Sequence, residues 1–143
     1  MKNFDLFLDL TRIKKPIGFM LLFWPCLWGL TLAFQFSNNN YVFLKHCLLF
    51  FGGAVLMRSA GCIVNDILDR KIDAMVDRTK FRPIASGKIS VQKSLIYVFF
   101  LCLCAFIILI QFNQNTILLG LASMPFAFSY PLMKRFTYWP QLF

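Results

Sequence analysis

A chain of 143 residues that is 59% hydrophobic and only 15% charged is not typical of a soluble domain, in which about a quarter of the residues are charged. Its net charge of +9 could indicate a nucleic-acid partner, but in so apolar a chain it more often reports membrane topology and attraction to anionic lipids. We therefore expect an integral membrane protein that has the lipid bilayer as its partner and binds no nucleic acid.

The predicted elements alternate between apolar spans and polar connections. An amphipathic segment, residues 1–15, comes first and is expected to lie in the membrane interface. Four apolar runs follow, and each is long enough to cross a bilayer as a helix. They cover residues 16–36, 41–64, 95–112 and 116–133, with a long polar loop expected over residues 66–93. The predicted fold class is therefore all-α, a multi-span bundle with about four transmembrane helices.

The positive charges predict the orientation of these spans. Lys and Arg gather before the first span, in the connection from residue 70 to residue 93, and after the fourth span. The turns after the first and third spans carry almost none. Because Lys and Arg are enriched in cytoplasmic loops, we expect both termini and the long loop on the cytoplasmic side.

The acidic residues are concentrated at the end of the second span. All six are Asp, and four of them fall between Asp66 and Asp77. If the span continues as a helix, Asn65, Asp69 and Asp73 form a stripe with neighbours roughly 5–6 Å apart, and Asp66 borders it. Mg²⁺ prefers oxygen ligands and usually shares them with the substrate's phosphates. The pattern predicts a metal–diphosphate site, with a merely solvated helix end as the alternative.

Several cations accompany this stripe. Arg58 lies seven residues before Asn65, and an ionisable residue inside a span is a functional hypothesis by default. Four basic residues follow the carboxylates: Arg78, Lys80, Arg82 and Lys88. They are either a phosphate clamp or ordinary cytoplasmic charge. Tyr130 and Lys134, four residues apart at the end of the fourth span, are likewise either functional or an interfacial pair.

These segments resemble the UbiA-type intramembrane aromatic prenyltransferases. The pattern NDxxDxxxD from Asn65 and the pattern RTxxRPxxSG from Arg78 resemble the first Asp-rich motif of that family. KPIG and LFWP in the first span, with YPLMKR from Tyr130, resemble the 4-hydroxybenzoate polyprenyltransferases of ubiquinone synthesis. The resemblance extends over essentially the whole chain.

The resemblance implies an activity and roles for the site residues. The activity is transfer of a polyprenyl group from polyprenyl diphosphate to 4-hydroxybenzoate, with Mg²⁺ as cofactor, in the bacterial inner membrane. The implied metal ligands are Asn65, Asp66, Asp69 and Asp73, of which Asp69 and Asp73 are also catalytic. Tyr130 and Lys134 would act on the diphosphate or the reacting carbon. Arg58 would bind the aromatic carboxylate, and Arg78 and Arg82 the diphosphate.

The chain also departs from the family pattern. The family carries a second Asp-rich motif on a later helix, whereas this sequence has no acidic residue after Asp77. Residues 1–143 are therefore expected to correspond to the N-terminal half of a single intramembrane domain, with the other half as a partner. Two alternatives stay open: a related prenyltransferase for another acceptor (haem, homogentisate or a quinone precursor), and a non-catalytic four-helix membrane protein.

Overall fold

Five α-helices make up the part of the chain that the structure describes, and no strand occurs among them. The computed structural model describes the backbone of residues 2–136 and the side chains of residues 4–35 and 38–133. The helices are α1 (Lys2–Thr11), α2 (Ile17–Ser37), α3 (Asn40–Met75), α4 (Val91–Leu109) and α5 (Gln114–Phe136). Helices α2 to α5 are long and apolar enough to cross a membrane, which confirms the all-α fold class and the four predicted spans.

Helix α3 is the centre of the bundle, because each of the other four helices packs against it. Small buried side chains allow this close approach, as is common between membrane helices. On α3 they are Ala54, Ser59, Ala60 and Cys62. Large apolar side chains on the outer helices face outward instead, among them Leu32, Phe99 and Leu119. Such a surface suits acyl chains, and the fold is that of a multi-pass membrane protein.

Asparagine side chains cap the N-termini of the two helices that follow the short turns. The Oδ1 atom of Asn39 accepts hydrogen bonds from the backbone N–H groups of Tyr41 and Val42 at 3.1 and 3.2 Å. The Oδ1 atom of Asn113 accepts one from the N–H of Thr116 at 2.9 Å. The first N–H groups of a helix have no partner within it, so these caps fix the starts of α3 and α5.

The expected loop over residues 66–93 is wrong at both ends, because residues 66–75 belong to α3 and residues 91–93 to α4. Helix α3 is 36 residues long and ends only at Met75. At 1.5 Å per residue it measures roughly 54 Å, whereas the hydrocarbon core is only about 30 Å thick. The end of the helix therefore projects beyond the apolar span, because charge ends a membrane span without having to end a helix. Turns occupy the chain from Val76 to Ser90 before α4 begins.

The predicted interfacial segment, α1, is packed against the bundle. Leu10 is fully buried and Thr11 is almost so. Leu10 joins a buried cluster with Ala60 and Ile63 of α3, Ile84 and Ile89 of the connection, and Leu101 of α4. Packing on α3 therefore fixes α1 in place, rather than contact with lipid alone.

Candidate functional site

The Asp-rich stripe lies on the projecting end of α3. Asn65, Asp69 and Asp73 occupy successive turns, since the helix continues through all three, and their predicted shared face is confirmed. Asn65 and Asp69 are half-buried, and Asp73 is buried. The stripe therefore starts where the apolar run ends and extends into the polar part of the molecule.

Asp66 is the centre of an ion-pair cluster. Its side chain is only 2% exposed, and its Oδ1 atom accepts hydrogen bonds from Arg12 Nη2 at 2.5 Å and from Arg82 Nη1 at 3.2 Å. The same Nη1 atom of Arg82 lies 2.7 Å from Oδ2 of Asp73. Two arginines and two aspartates balance in charge, which is what allows the Asp66 carboxylate to be buried at all.

The turns after α3 hold Arg82 in this position. The hydroxyl of Thr79 donates to the backbone carbonyl of Asp73 at 3.0 Å. The N–H of Ser86 donates to the carbonyl of Arg82 at 2.9 Å, and Gly87 follows in the left-handed region at φ 72°. A residue with a side chain would be strained at that φ, which accounts for glycine at this position. The RTxxRPxxSG segment thus folds back against α3 and presents one arginine to two carboxylates.

Arg58 lies one level deeper, against the start of α2. A Cβ atom added to Gly18 would lie 2.7 Å from Nε of Arg58, so the guanidinium passes directly over this glycine. Arg58 is exposed on the bundle surface, seven residues and therefore about two helical turns before Asn65. Gly18 is thus the position on α2 that leaves room for an arginine at the apolar end of the stripe.

Three other predicted site residues lie in the turn after α3 and on α5. Arg78 is exposed in the turn after α3 and makes none of the ion pairs found there. Tyr130 is partly exposed on α5, a helix that packs against α3 and α4. Lys134 lies on the same helix, but its side chain is outside the described residues. Of the predicted phosphate-binding arginines, the structure therefore brings only Arg82 to the carboxylates.

The donor set at the stripe suits Mg²⁺ shared with a diphosphate. Asn65 and Asp69 offer an amide and a carboxylate one turn apart, and oxygen donors are what Mg²⁺ prefers. The carboxylates of Asp66 and Asp73 already accept hydrogen bonds from arginine. Within the described ranges, no three or more His, Cys, Asp or Glu side chains are grouped so that they could hold a metal ion. The residues therefore fit an ion that takes its remaining ligands from a substrate and from water.

An apolar cavity of about 280 Å³ lies between α2, α3, α4 and α5. Leu22, Gly53, Met57, Phe106 and Met124 are among the residues that line it. Met57 immediately precedes Arg58, so the cavity approaches the apolar end of the stripe. Its lining suits a hydrocarbon chain.

Sequence reasoning missed Arg12 and Gly18 as parts of this site. Arg12 lies 54 residues from Asp66, in a basic cluster where Lys14 and Lys15 carry the same charge. Nothing local distinguishes the arginine that reaches the carboxylate from the two lysines that do not. Gly18 gave one usable signal, because a glycine in a span often marks a close approach.

Fold and site together define a multi-pass membrane protein whose acidic and basic residues meet where its longest helix leaves the apolar bundle. The chain belongs to the UbiA prenyltransferase family, which residues 22–143 match. That range contains the whole stripe and the turns after it, while Arg12 and Gly18 precede it.

Several curated proteins are similar to this chain. The mitochondrial 4-hydroxybenzoate polyprenyltransferase of Arabidopsis thaliana is 47% identical over 134 residues, which are 94% of this chain and 32% of that protein. The 4-hydroxybenzoate octaprenyltransferase of Hydrogenovibrio crunogenus is 45% identical over 96% of this chain and 47% of its own length. That of Nitrosomonas eutropha is 44% identical over 99% and 48%. The chain thus spans about a third to a half of the length of these relatives. No solved structure matches it.

Proposed function

We propose that this chain forms one wall of an active site that transfers a polyprenyl group from polyprenyl diphosphate to the ring of 4-hydroxybenzoate, in ubiquinone biosynthesis. The observation that carries the proposal is the continuity of α3, which places Arg58, Asn65 and Asp69 in order from the apolar span to its polar extension. The names of the relatives supply the acceptor, 4-hydroxybenzoate, and the transferred polyprenyl group. Their greater length supports a site completed by segments beyond those matched here.

The polar end of the stripe is the place for the diphosphate. Asn65 and Asp69 would hold Mg²⁺. The family pattern also implies Asp66 and Asp73 as ligands, but their carboxylates already accept hydrogen bonds from arginine. When bound there, the ion supplies Lewis-acid stabilisation of the charge on the departing diphosphate. Arg82 adds positive charge beside the stripe, and its two carboxylate partners keep it oriented. Arg78, in the same turn, would contact the diphosphate from the water side.

The reaction itself is a substitution at the first carbon of the prenyl chain. The bond from that carbon to the diphosphate oxygen breaks, and its electron pair leaves with the oxygen. The ring carbon next to the phenol hydroxyl forms the new bond, and loss of its proton restores the aromatic ring. Tyr130 and Lys134, on α5, would support the reacting carbon or the leaving group. The apolar cavity beside Met57 would receive the nearest isoprenyl units.

Arg58 would bind the carboxylate of the aromatic acceptor. Its guanidinium offers a bidentate fork for a carboxylate, and it lies at the apolar end of the stripe, where the ring has to meet the prenyl carbon. The absence of a side chain at Gly18 leaves the space that this guanidinium occupies.

The alanine variant of Gly18 tests this role. We expect Gly18→Ala to displace Arg58 and to raise the KM for 4-hydroxybenzoate roughly tenfold, because the loss of one charged hydrogen bond weakens binding by about that factor. The KM for polyprenyl diphosphate should not change. Gly29→Ala is the matched control, since a Cβ there meets nothing within 4 Å. Both KM values are measured by steady-state kinetics for each variant, co-expressed with the part of a longer relative that this chain does not match. An unchanged KM in Gly18→Ala would remove Arg58 from the acceptor site.

The topology prediction is tested by reporter fusions. We place the chain in the bacterial inner membrane with both termini cytoplasmic, on the basis of its three basic clusters. Fusions at Asn39 and Asn113, in the short uncharged turns, should then report a periplasmic position. A fusion at Ser86, in the basic connection, should report a cytoplasmic one. The reverse pattern would invert the proposed orientation of the site.

A further inference from the structure

We propose that Arg12 is a positioning residue for the Asp-rich end of α3, and that Asp66 holds Arg12 and Arg82 in place instead of contacting metal or substrate. The expected effect on ligand binding rests on the proposed function. The ion pairs between Arg12, Asp66 and Arg82 are observed independently of that function.

Burial separates Asp66 from Asn65 and Asp69, the half-buried residues of the stripe. It is 2% exposed, and a single oxygen, Oδ1, accepts from both guanidinium groups. Asp69, three residues later, is only half-buried. A carboxylate enclosed by two cations is a structural anion, whereas a ligand for a shared metal ion must be open to that ion.

The backbone at Arg12 supports the same assignment. Arg12 adopts φ 54°, in the left-handed region that residues other than glycine enter only at a cost. Such a conformation persists where the surroundings over-determine it. Here the preceding residues, Leu10 and Thr11, are buried against the bundle, and the turn at residue 12 directs the guanidinium to α3.

Arg82 connects the ion pair of Arg12 and Asp66 to Asp73, about two helical turns further along α3. Its Nη1 atom serves Asp66 at 3.2 Å and Asp73 at 2.7 Å. Without Arg12, Asp66 keeps Arg82 as its remaining cation among the described residues, and Arg82 is drawn towards Asp66 at the expense of Asp73. The spacing of the carboxylates along α3 therefore depends on a residue outside that helix.

Trypsin cleavage at Lys14 measures whether this contact holds α1. On the 143-residue chain in detergent, we expect Arg12→Asn and Asp66→Asn each to speed cleavage after Lys14 about tenfold, because local opening exposes the bond. Asn tolerates the left-handed conformation, so this change removes the charge without adding strain. Arg12→Lys should restore slow cleavage in part. Asp77→Asn is the matched control, since its carboxylate is exposed and pairs with the neighbouring Lys80. Equal cleavage rates in all variants would overturn the proposal.

Calorimetry with Mg²⁺ and inorganic diphosphate separates positioning from ligation. A positioning role predicts that Arg12→Asn and Asp66→Asn weaken binding by the same factor and that the double variant is no weaker than either one. Asp69→Asn should lose binding altogether. A much larger loss in Asp66→Asn than in Arg12→Asn would make Asp66 a ligand and refute the proposal. If the wild-type chain does not bind diphosphate, the proposed function fails, and the cleavage rates still decide the role of Arg12.

Discussion

Asp69→Ala is expected to reduce prenyl transfer roughly a thousandfold or more in the completed enzyme. Asp69 is the half-buried carboxylate of the stripe, one turn from Asn65. Metal stabilisation of a leaving group is worth several kcal/mol, and each 1.36 kcal/mol is about tenfold in rate. The loss should appear in kcat as well as in donor binding, because the charge develops in the transition state.

The measurement needs a complete site and a matched carboxylate. Co-expression with the part of the Nitrosomonas eutropha relative that this chain does not match would supply the remaining segments. Product is then counted by mass spectrometry. Asp77→Ala, which removes an exposed carboxylate beyond the end of α3, should leave turnover within about twofold of the wild type. Wild-type rates in Asp69→Ala would show that the stripe does not serve the diphosphate.

The 143-residue chain by itself is expected to give no multiple turnovers. One stripe on α3 supplies oxygens from one side of a diphosphate, and the last acidic residue of the chain is Asp77. The relatives are two to three times as long as the matched region, and the proposed opposite wall belongs to their additional length. Leaving-group charge that faces no second wall stays uncompensated, which removes much of the electrostatic contribution to catalysis.

Purified chain in detergent, supplied with Mg²⁺, 4-hydroxybenzoate and a polyprenyl diphosphate, gives the direct test. The same chain co-expressed with the complementary part of a relative is the positive control. Repeated turnover by the chain alone would place the whole site within these residues. No activity even after complementation would favour the non-catalytic four-helix protein.

The membrane class and the four spans were predictable from the sequence. Long uncharged runs have no other stable placement, since a helix satisfies its own backbone hydrogen bonds in lipid. The stripe was predictable as well, because Asn65, Asp69 and Asp73 recur at helical spacing. The boundary of α3 was not: the pattern of charge shows where a span leaves the lipid, while the helix continues to Met75.

The arrangement around the stripe was decided by tertiary structure. Periodicity reports which residues share a face of one helix, but an ion pair between Arg12 and Asp66 joins segments 54 residues apart. The choice of Arg82 over Arg78, two cations in one turn, depends on how residues 76–90 fold back onto α3. The sequence by itself determined the class of protein, its spans and its carboxylate face, because these follow from composition and local repeat. Only the packing of α1 and this connection onto α3 decided which cations meet which carboxylates, because a charge selects its partner by distance in space.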